Sequence, residues 1–495
     1  MRVTNSMIMN NARTNINNNK TAVDKASTAV ATGKKIQVPS DDPIIAVRAL
    51  KLRNNLNELN QYYERNVKDA TSWMKLSEDS LVSMRSALDD MYDSYVKGAN
   101  GELNIEERNA LKNELVALRK EIMGICNAKS AGRNIFTGYK TSTDFTFMKD
   151  DNAASYKITQ KFSGKDISDF SYVSGITDFD RLNITGVAEN EMPQLNTIHR
   201  LCLGYQGLGN TIDDITYVDT DGTTKTITPT VRNLGGTDEN DLAYAPGDDE
   251  IIFIPETGEL ILGDSIYKKF AALKPDANGN LPIEVSYTKT GFQKYEARPE
   301  MYYDCTDLVS GVEYTKEDQD ISYTVNFSQK LIVNTQISNV IGRDLIRNID
   351  DLVNSLQWVE SAQAKVDEIQ EMIDSGRYKD TDLDDLKTHL ESAQKELDLQ
   401  KGILQDIMEA GVGQTQRYQE SVDVAKTDVG NRKRRLKLIE ERLSDQQTNF
   451  EDLKSENEDI TESDALLDET AALQAYELAL KSTAEISGLG LLNYL

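Results

Sequence analysis

Apolar residues along this chain follow three regimes, and each predicts a kind of element. From Pro43 to about Lys97, Leu52, Leu56, Leu59 and Tyr63 step by four and three. The frame then slips by a residue and resumes through Val67, Ala70, Met74, Leu81, Met84, Leu88, Met91 and Tyr95. Such spacing keeps one side of a helix apolar over many turns and predicts a long helix with a coiled-coil-like seam. Gly98 to Gly101 should break it, and Leu111, Leu115, Leu118 and Ile122 predict a shorter helix from about Ile105 to Lys129. From Gly132 to about Gln329 the helical period gives way to Tyr, Thr, Gly, Pro and Asp, and seven of the nine prolines lie between Pro193 and Pro299, so a β-rich insertion of one or two small domains is predicted. Hairpins should turn at Asp221-Gly222, at Glu256-Thr257-Gly258 and at Asn278-Gly279. Helical spacing returns near Asp344 with Leu345, Ile349, Leu352, Leu356, Val359, Val366 and Ile373, and stops at Gly376. Leu383, Leu386, Leu390, Ala393, Leu397, Leu404 and Ile407 follow, Gly411 and Gly413 weaken the pattern, and Val422, Ala425, Val429, Leu436, Ile439, Leu443, Phe450, Leu453 and Ile460 restore it, with Arg432, Gln446 and Asn457 at the remaining seam positions.

Both ends carry weaker stripes. From Val3 to Ala31 the chain is rich in Asn and Thr, which are poor helix formers, yet Val3, Met7, Ile8, Ala12, Ile16, Val23, Ala26 and Val30 fall near helical spacing. Alone this segment should fray, and a surface covering the stripe should order it. Ala31 to Arg53 then reads as a corner: Gly33 can close a helix in the left-handed conformation, and Lys34 and Lys35 suit its negative end. Asp42 is placed to cap a second helix whose first residue is Pro43. From Ser463 onward, Leu466, Leu467, Leu473, Tyr476, Leu480, Ala484 and Ile486 form an apolar face too broad for a lone terminal helix to leave in water. The expected fold class is α+β, mainly α: a long coiled-coil-like helical bundle formed by both chain ends, with an inserted β-rich region.

Composition narrows the function. A net charge of -27 disfavours a nucleic-acid backbone or an anionic membrane as partner. Cys126, Cys202 and Cys305 are far apart and odd in number, and His199 and His389 are the only imidazoles, so no disulfide framework, zinc site or nucleophile-histidine set is indicated. The glycines of GYQGLGN, Gly204, Gly207 and Gly209, lack the strand, helix and Lys-Ser/Thr of a phosphate loop, and Asp219 and Asp221 lack the bidentate Glu of a calcium loop, Thr228 standing in its place. The basic run Arg432 to Arg435 lies among heptads flanked by Glu440, Glu441 and Asp445 and reads as a solvated, ion-paired helix face; the acidic group Glu456, Glu458, Asp459 and Glu462 reads as helix-end charge rather than a metal site. His389, in a helical segment, is expected to be solvated. A glycosidase-like carboxylate pair in the β insertion stays open, although nothing points to one. No catalytic residue, cofactor or metal is assigned. The N-terminus has no charged region followed by an apolar stretch, and no apolar run reaches membrane-spanning length, so general signals alone suggest the cytosol.

The two ends taken together resemble the flagellin superfamily. The residues that carry the likeness are ATGKKIQVPSDDPIIAVRALKLR with its long following helix, RNIFTGYKTSTDFTF from Arg133 to Phe147, and VGNRKRRLKLIEERLSDQQTNFEDLKSENEDITE before the apolar end LLNYL. Pro39-Ser40-Asp41-Asp42-Pro43 with Arg48-Ala49-Leu50 is nearer to the hook-associated junction members than to filament flagellins, which read closer to SAADDAAG. The likeness covers about the first 150 and the last 70 residues. It implies residues 1–42 and 463–495 as an inner assembly segment, 43–140 and 336–462 as the two parts of a helical rod, and 141–335 as an outward insertion. It further implies a structural, non-enzymatic subunit with no cofactor, joining hook-associated protein 1 to flagellin and forming a ring with its own copies. Such a subunit would be handled by a flagellar export chaperone and located in the extracellular flagellum after export without a cleaved signal peptide. Gly33, Pro39, Asp41, Asp42, Pro43 and Arg48 would shape the corner between helices, and Leu491, Leu492 and Leu495 would close the C-terminal packing surface. The alternatives are a flagellin filament subunit, a glycan-binding or hydrolytic β insertion, and an intracellular coiled-coil scaffold.

Overall fold

A computed structural model describes residues 5–100, 103–176, 179, 181, 184–235, 242–275, 279, 281–379 and 381–488. The chain divides into two compact units, one drawn from the residues up to 71, 323–331 and those from 433 onward, the other from 72–322 and 332–432.

The first unit holds α1 (Asn5–Thr32), α2 (Pro43–Gln61) and, from the other end of the chain, the last part of α7 (Thr381–Glu458) followed by α8 (Glu462–Gly488). The frame slip after Tyr63 has a structural cause. Tyr62–Asn66 is a single π-helical turn between α2 and α3 (Val67–Asn100), which absorbs one extra residue and makes Tyr62 rather than Tyr63 the buried seam residue. Tyr62 meets Phe327 edge to face, and Asn66 Nδ2 donates to the Thr324 carbonyl at 2.7 Å, so the hairpin of β14 (Ser322–Asn326) and β15 (Gln329–Ile332) covers the turn. The seam on α7 weakens toward its end: Leu436, Ile439 and Leu443 are buried, but Leu453 is half exposed.

The second unit joins helices to sheets. α4 (Ile105–Ile125), opened by an Asn104–Glu107 capping box, runs antiparallel to α6 (Asp344–Asp374), with Arg119 on Asp350 and Asn109 on Glu360. α3 runs antiparallel to α7 through Arg85 with Asp423 and Gln419 with the Leu88 carbonyl. α7 is one continuous helix of 78 residues, with no break at Gly411 or Gly413. The reason at Gly411 is close packing, since a Cβ there would lie 2.3 Å from Cε1 of Tyr95. Gly98 likewise sits inside the last turn of α3, where a Cβ would lie 2.7 Å from the Met408 sulfur. Gly411 admits a neighbour without interrupting its helix, whereas α3 does end at Asn100, inside the break expected at Gly98 to Gly101. Gly376 does mark a stop, with φ +66° just past α6.

After the short pair β1 (Lys129–Ser130) and β2 (Arg133–Asn134), the insertion forms two larger sheets. The strands are β3 (Asp151–Phe162), β4 (Ser168–Ser174), β5 (Gln194–Cys202), β6 (Ile215–Val218), β7 (Thr224–Ile227), β8 (Thr230–Val231), β9 (Ile251–Ile254), β10 (Glu259–Leu262), β11 (Ile283–Phe292), β12 (Asp304–Asp307) and β13 (Glu313–Tyr314). Their orders are β13-β12-β3-β11-β6-β7 and β4-β5-β10-β9-β8. Tyr156, Ile158, Ile283 and Val285 of the first share one core with Leu201, Phe253, Leu260 and Leu262 of the second. The other face of the second sheet, with Ile252, Ile254 and Ile261, packs with Phe170, Tyr172, Tyr244 and Trp358 of α6. Burial on both faces explains why Ile251 to Ile254 and Leu260 to Leu262 are unbroken apolar runs.

The turns at Asp221-Gly222 and at Glu256-Thr257-Gly258 form antiparallel hairpins, β6–β7 and β9–β10. The hairpin expected at Asn278-Gly279 does not form, because the segment before β11 is a helix, α5 (Asp264–Ala271), and β11 pairs with β3 and β6; Asn278 lies outside the described residues. Buried charge ties sheet to helix: Arg200 and Arg347 both contact Glu259 and Asp351, and all four side chains are nine-tenths or more buried.

Candidate assembly site

The corner between α1 and α2 is held by residues from both ends of the chain. α1 stops because Gly33 takes φ +67° and its N–H donates to the Ala29 carbonyl at 2.8 Å. Lys34 and Lys35 do not turn back to the carbonyl end of α1. They cross to the C-terminal part of the chain, where Lys34 forms an antiparallel bridge with Asp459. Around that bridge the Lys35 amide donates to the Glu458 carbonyl at 2.8 Å and the Ile460 amide to the Gly33 carbonyl at 3.0 Å. Lys35 Nζ reaches the Glu456 carbonyl at 2.6 Å, and Lys34 Nζ pairs with Asp459 and lies 3.6 Å from Glu458.

Arg53 on α2 completes the clasp. Its Nε and Nη2 donate to the two carboxylate oxygens of Glu458 at 2.7 and 2.5 Å, a bidentate pair with a Glu458 side chain only 3% exposed. The Arg53 hydrogen bonds hold the Glu458 carboxyl below its usual 4.5, and Lys34 does the same for Asp459. Glu458 and Asp459 are therefore neutralised by cations of the other chain end, and no cluster able to hold a metal occurs among the described residues. Arg53 and Glu458 stand 405 positions apart, so local pattern alone could not join them.

The loop between the clasped segments is shaped by two adjacent aspartates. Asp41 accepts the Gln37 and Val38 amides and Lys25 Nζ, the last at 2.8 Å, and these bonds lower its pKa. Asp42 is extended and its Oδ1 accepts from the Ile44 and Ile45 amides at 2.9 and 3.1 Å, capping α2 at Pro43. At the matching break on the other strand of chain, Thr461 and Asp464 cap α8 by exchanging hydrogen bonds at 2.7 and 3.2 Å. Asn457 adds a bond to the Ile45 carbonyl. Pro39 and Arg48 are exposed at this corner, while Leu491, Leu492 and Leu495 lie outside the described residues.

Beyond the corner α1 and α8 run along each other. Ala12 is buried, and Ile8, Ile16, Val23, Ala26 and Val30 are half-buried, so most of the N-terminal stripe is covered by the chain's own last helix. The face α8 uses is narrower than expected: Ala465 is buried and Ala472, Tyr476 and Ala479 are half-buried, whereas Leu466, Leu467, Leu473 and Leu480 stay exposed. Leu467 is 71% exposed and Leu478 66%. On α2, Ile44, Val47 and Leu50 add a second exposed apolar line at the corner. A helix apolar on nearly every side is normally enclosed, so these leucines mark a surface for contact.

His389 is buried rather than solvated, bonded to the Thr185 carbonyl at 2.7 Å, and His199 pairs with Asp169 while stacked on Tyr267. Burial pushes the Cys126 and Cys305 thiols up to about 12, away from nucleophilic form. Arg432 bonds Asp428 and the Asn334 carbonyl, and Arg434 and Arg435 are solvated. Among the described residues no helix is long and apolar enough to cross a membrane.

Residues 3–141, which hold α1, the corner, α2 to α4 and the β1–β2 pair, match the bacterial flagellin N-terminal helical region. The match falls on the same N-terminal end whose motifs resemble that superfamily. Over 142 residues the chain is 31% identical to flagellar hook-associated protein 3 of Salmonella typhimurium, covering 28% of this chain and 44% of that protein. Over 144 residues it is 31% identical to flagellar hook-associated protein 3 of Escherichia coli, covering 29% and 45%. A flagellin of Clostridium tyrobutyricum is 29% identical over 127 residues, covering 26% and 33%. The matches span less than half the length of each relative.

Proposed function

We propose that this chain is a structural subunit of the bacterial flagellum that joins the hook, through hook-associated protein 1, to the flagellin filament, without catalysis or cofactor. The observation that carries this reading is the α1–α8 pair, which covers one stripe within the chain and leaves the leucines of α8 in water. Copies packed coaxially in a ring would bury them, and folding of the ends and assembly would then be coupled. In this scheme residues 1–42 and 463–495 form the inner segment, 43–140 and 336–462 the rod, and 141–335 the outward insertion. Gly33, Pro39, Asp41, Asp42, Pro43 and Arg48 set the corner, and Leu491, Leu492 and Leu495 extend the packing surface. The subunit would reach the extracellular flagellum through the flagellar export channel, with a chaperone and without a cleaved signal peptide.

The test is a gene deletion examined by electron microscopy. Hooks without filaments, with filament monomer released to the medium, are expected; full-length filaments on the hooks would remove the junction role. The likeness to flagellin supports a second reading, a filament subunit. It predicts that purified protein polymerises alone into long filaments, which a junction subunit should not do.

A further inference from the structure

The sheet β4-β5-β10-β9-β8 ends at β4, and the outer row of backbone groups on that strand can be read from the register. Just past β5 the Leu203 amide donates to the Gly258 carbonyl at 2.9 Å, so Leu203, Leu201 and His199 bond toward β10 and the residues between them bond toward β4. Ser168 stands opposite Arg200 and Phe170 opposite Ile198, so the N–H and C=O groups of Ser168, Phe170 and Tyr172 are used within the sheet. Those of Asp169, Ser171 and Val173 point the other way, where no further strand of this sheet lies among the described residues. Such a row, one donor and one acceptor at every second residue, is matched by another extended backbone.

This edge borders a groove of about 830 Å³ inside the second unit. Ser168, Asp169, Phe170 and Ser171 all line it. Successive side chains of a strand point to opposite faces, so a space that touches all four lies along the edge and not over one face. The opposite wall is α7, where Ile403, Ile407, Ala410, Gln414 and Arg417 recur at three- and four-residue steps and form one helix face. Contacts with α6 order the groove from end to end. Arg200, across from Ser168, bonds Asp351, and the Phe170 ring lies 6.3 Å from that of Trp358, so β4 begins beside the earlier part of α6. Gln414 bonds Asn348, which puts Arg417, about one turn further, at that same end and Asp406, about two turns back, toward the other. Lys165, just before β4, also lines the groove, and Lys165, Arg417 and Asp406 form no ion pair among the described residues.

The two walls decide what can enter. A second copy pairing edge to edge would bring a whole sheet, and α7 stands where its further strands would have to lie. A single strand has no such strands to place. We propose that β4 is a docking edge for one extended peptide segment of a partner protein, which adds to the sheet as a sixth strand between β4 and α7. The charges fix its character. A carboxylate of the segment faces Lys165 and Arg417 where β4 begins, and a cation further along faces Asp406 and Asp169, which is 67% exposed and holds only His199. About six residues, the common strand length, cover the free row.

The test is selection of random peptides displayed on phage against the full chain, followed by calorimetric titration with the enriched sequences as synthetic peptides. Peptides that carry both an acidic and a basic residue and saturate one site per chain are expected. Ser171→Pro removes one outward N–H and leaves the ladder to β5 in place, because an edge strand tolerates proline whose nitrogen faces outward. It should weaken binding about tenfold, the cost of one hydrogen bond with its neighbours disturbed. Arg417→Glu, an exposed change on α7 that leaves β4 untouched, should weaken binding by at least as much. With peptide bound, exchange of the Ser171 and Val173 amides should slow while that of the α8 amides stays the same. No enrichment, or peptides that bind either variant as tightly as the parent, overturns the proposal.

Discussion

Neutralising Glu458 should loosen the corner without unfolding the rest of the chain. Glu458→Gln keeps the shape but replaces a carboxylate that receives two bonds from Arg53, at 2.7 and 2.5 Å, by an amide that can accept only one. Bonds to charged partners contribute about 1.5–3 kcal/mol each. Arg53 is 52% exposed and regains water when released, so a net loss of about 2 kcal/mol is expected, the lower part of that range. The two tryptophans, Trp73 and Trp358, both belong to the other unit, and their fluorescence should change little. Amide hydrogen exchange is the suitable assay, because the Lys35 and Ile460 amides bridge the two chain ends directly. Their protection should fall about 30-fold, which is 2 kcal/mol at 1.36 kcal/mol per decade. The pH dependence has a definite sign. Because the folded carboxyl titrates below 4.5, the clasp contributes fully above pH 4.5 and is lost as the pH falls through the lowered value. The Gln variant should show no such fall in protection at these amides. Protection unchanged within threefold at pH 7, or an equal fall at amides of the sheets, would refute the argument.

Under the proposed flagellar role, Leu467→Glu combined with Leu478→Glu should leave helicity and monomer stability intact, since both side chains are largely exposed, yet prevent incorporation into flagella; each buried leucine in an assembly would contribute about 1.5–3 kcal/mol, and motility with electron microscopy reads the outcome. Gly411→Val should destabilise by about 1–3 kcal/mol through collision with Tyr95, whereas Gly413→Ala, with nothing within 4 Å, should stabilise by up to about 1 kcal/mol, both read by urea unfolding with tryptophan fluorescence. Glu259→Gln strips Arg200 and Arg347 of one shared partner and should cost about 3–5 kcal/mol in the same assay.

Much of the helical part is legible in residue spacing. The start of α6 at Asp344, the cap at Asp42 and the slip after Tyr63 are all local features, and the slip becomes a π turn because one additional residue must be absorbed without losing the seam. What spacing could not show is which surfaces meet. Gly411 reads as a weak point in the heptad pattern until Tyr95, more than 300 positions away, is found lying against it. The leucines of α8 read as a face seeking burial, but the alanine stripe beside them is what fits against α1. Lys34 looks like a partner for its own helix end, and Glu458 like surplus acid, until distance along the chain ceases to matter. The segment before β11 became a helix because Ile266 and Phe270 of α5 are buried in the inter-sheet core, a tertiary reward no turn propensity records.

The ring of Tyr95 seated on Gly411, with Met408 seated on Gly98 beside it, has a mechanical meaning. Two helices that touch through exchanged knobs and bare backbone cannot glide along their axes, because a shift of one turn, about 5.4 Å, would carry the ring onto the side chain of Ile407 or Thr415. α3 and α7 are therefore pinned as well as packed. A strut pinned in this way passes axial load and twist from one end to the other instead of dissipating them as slippage.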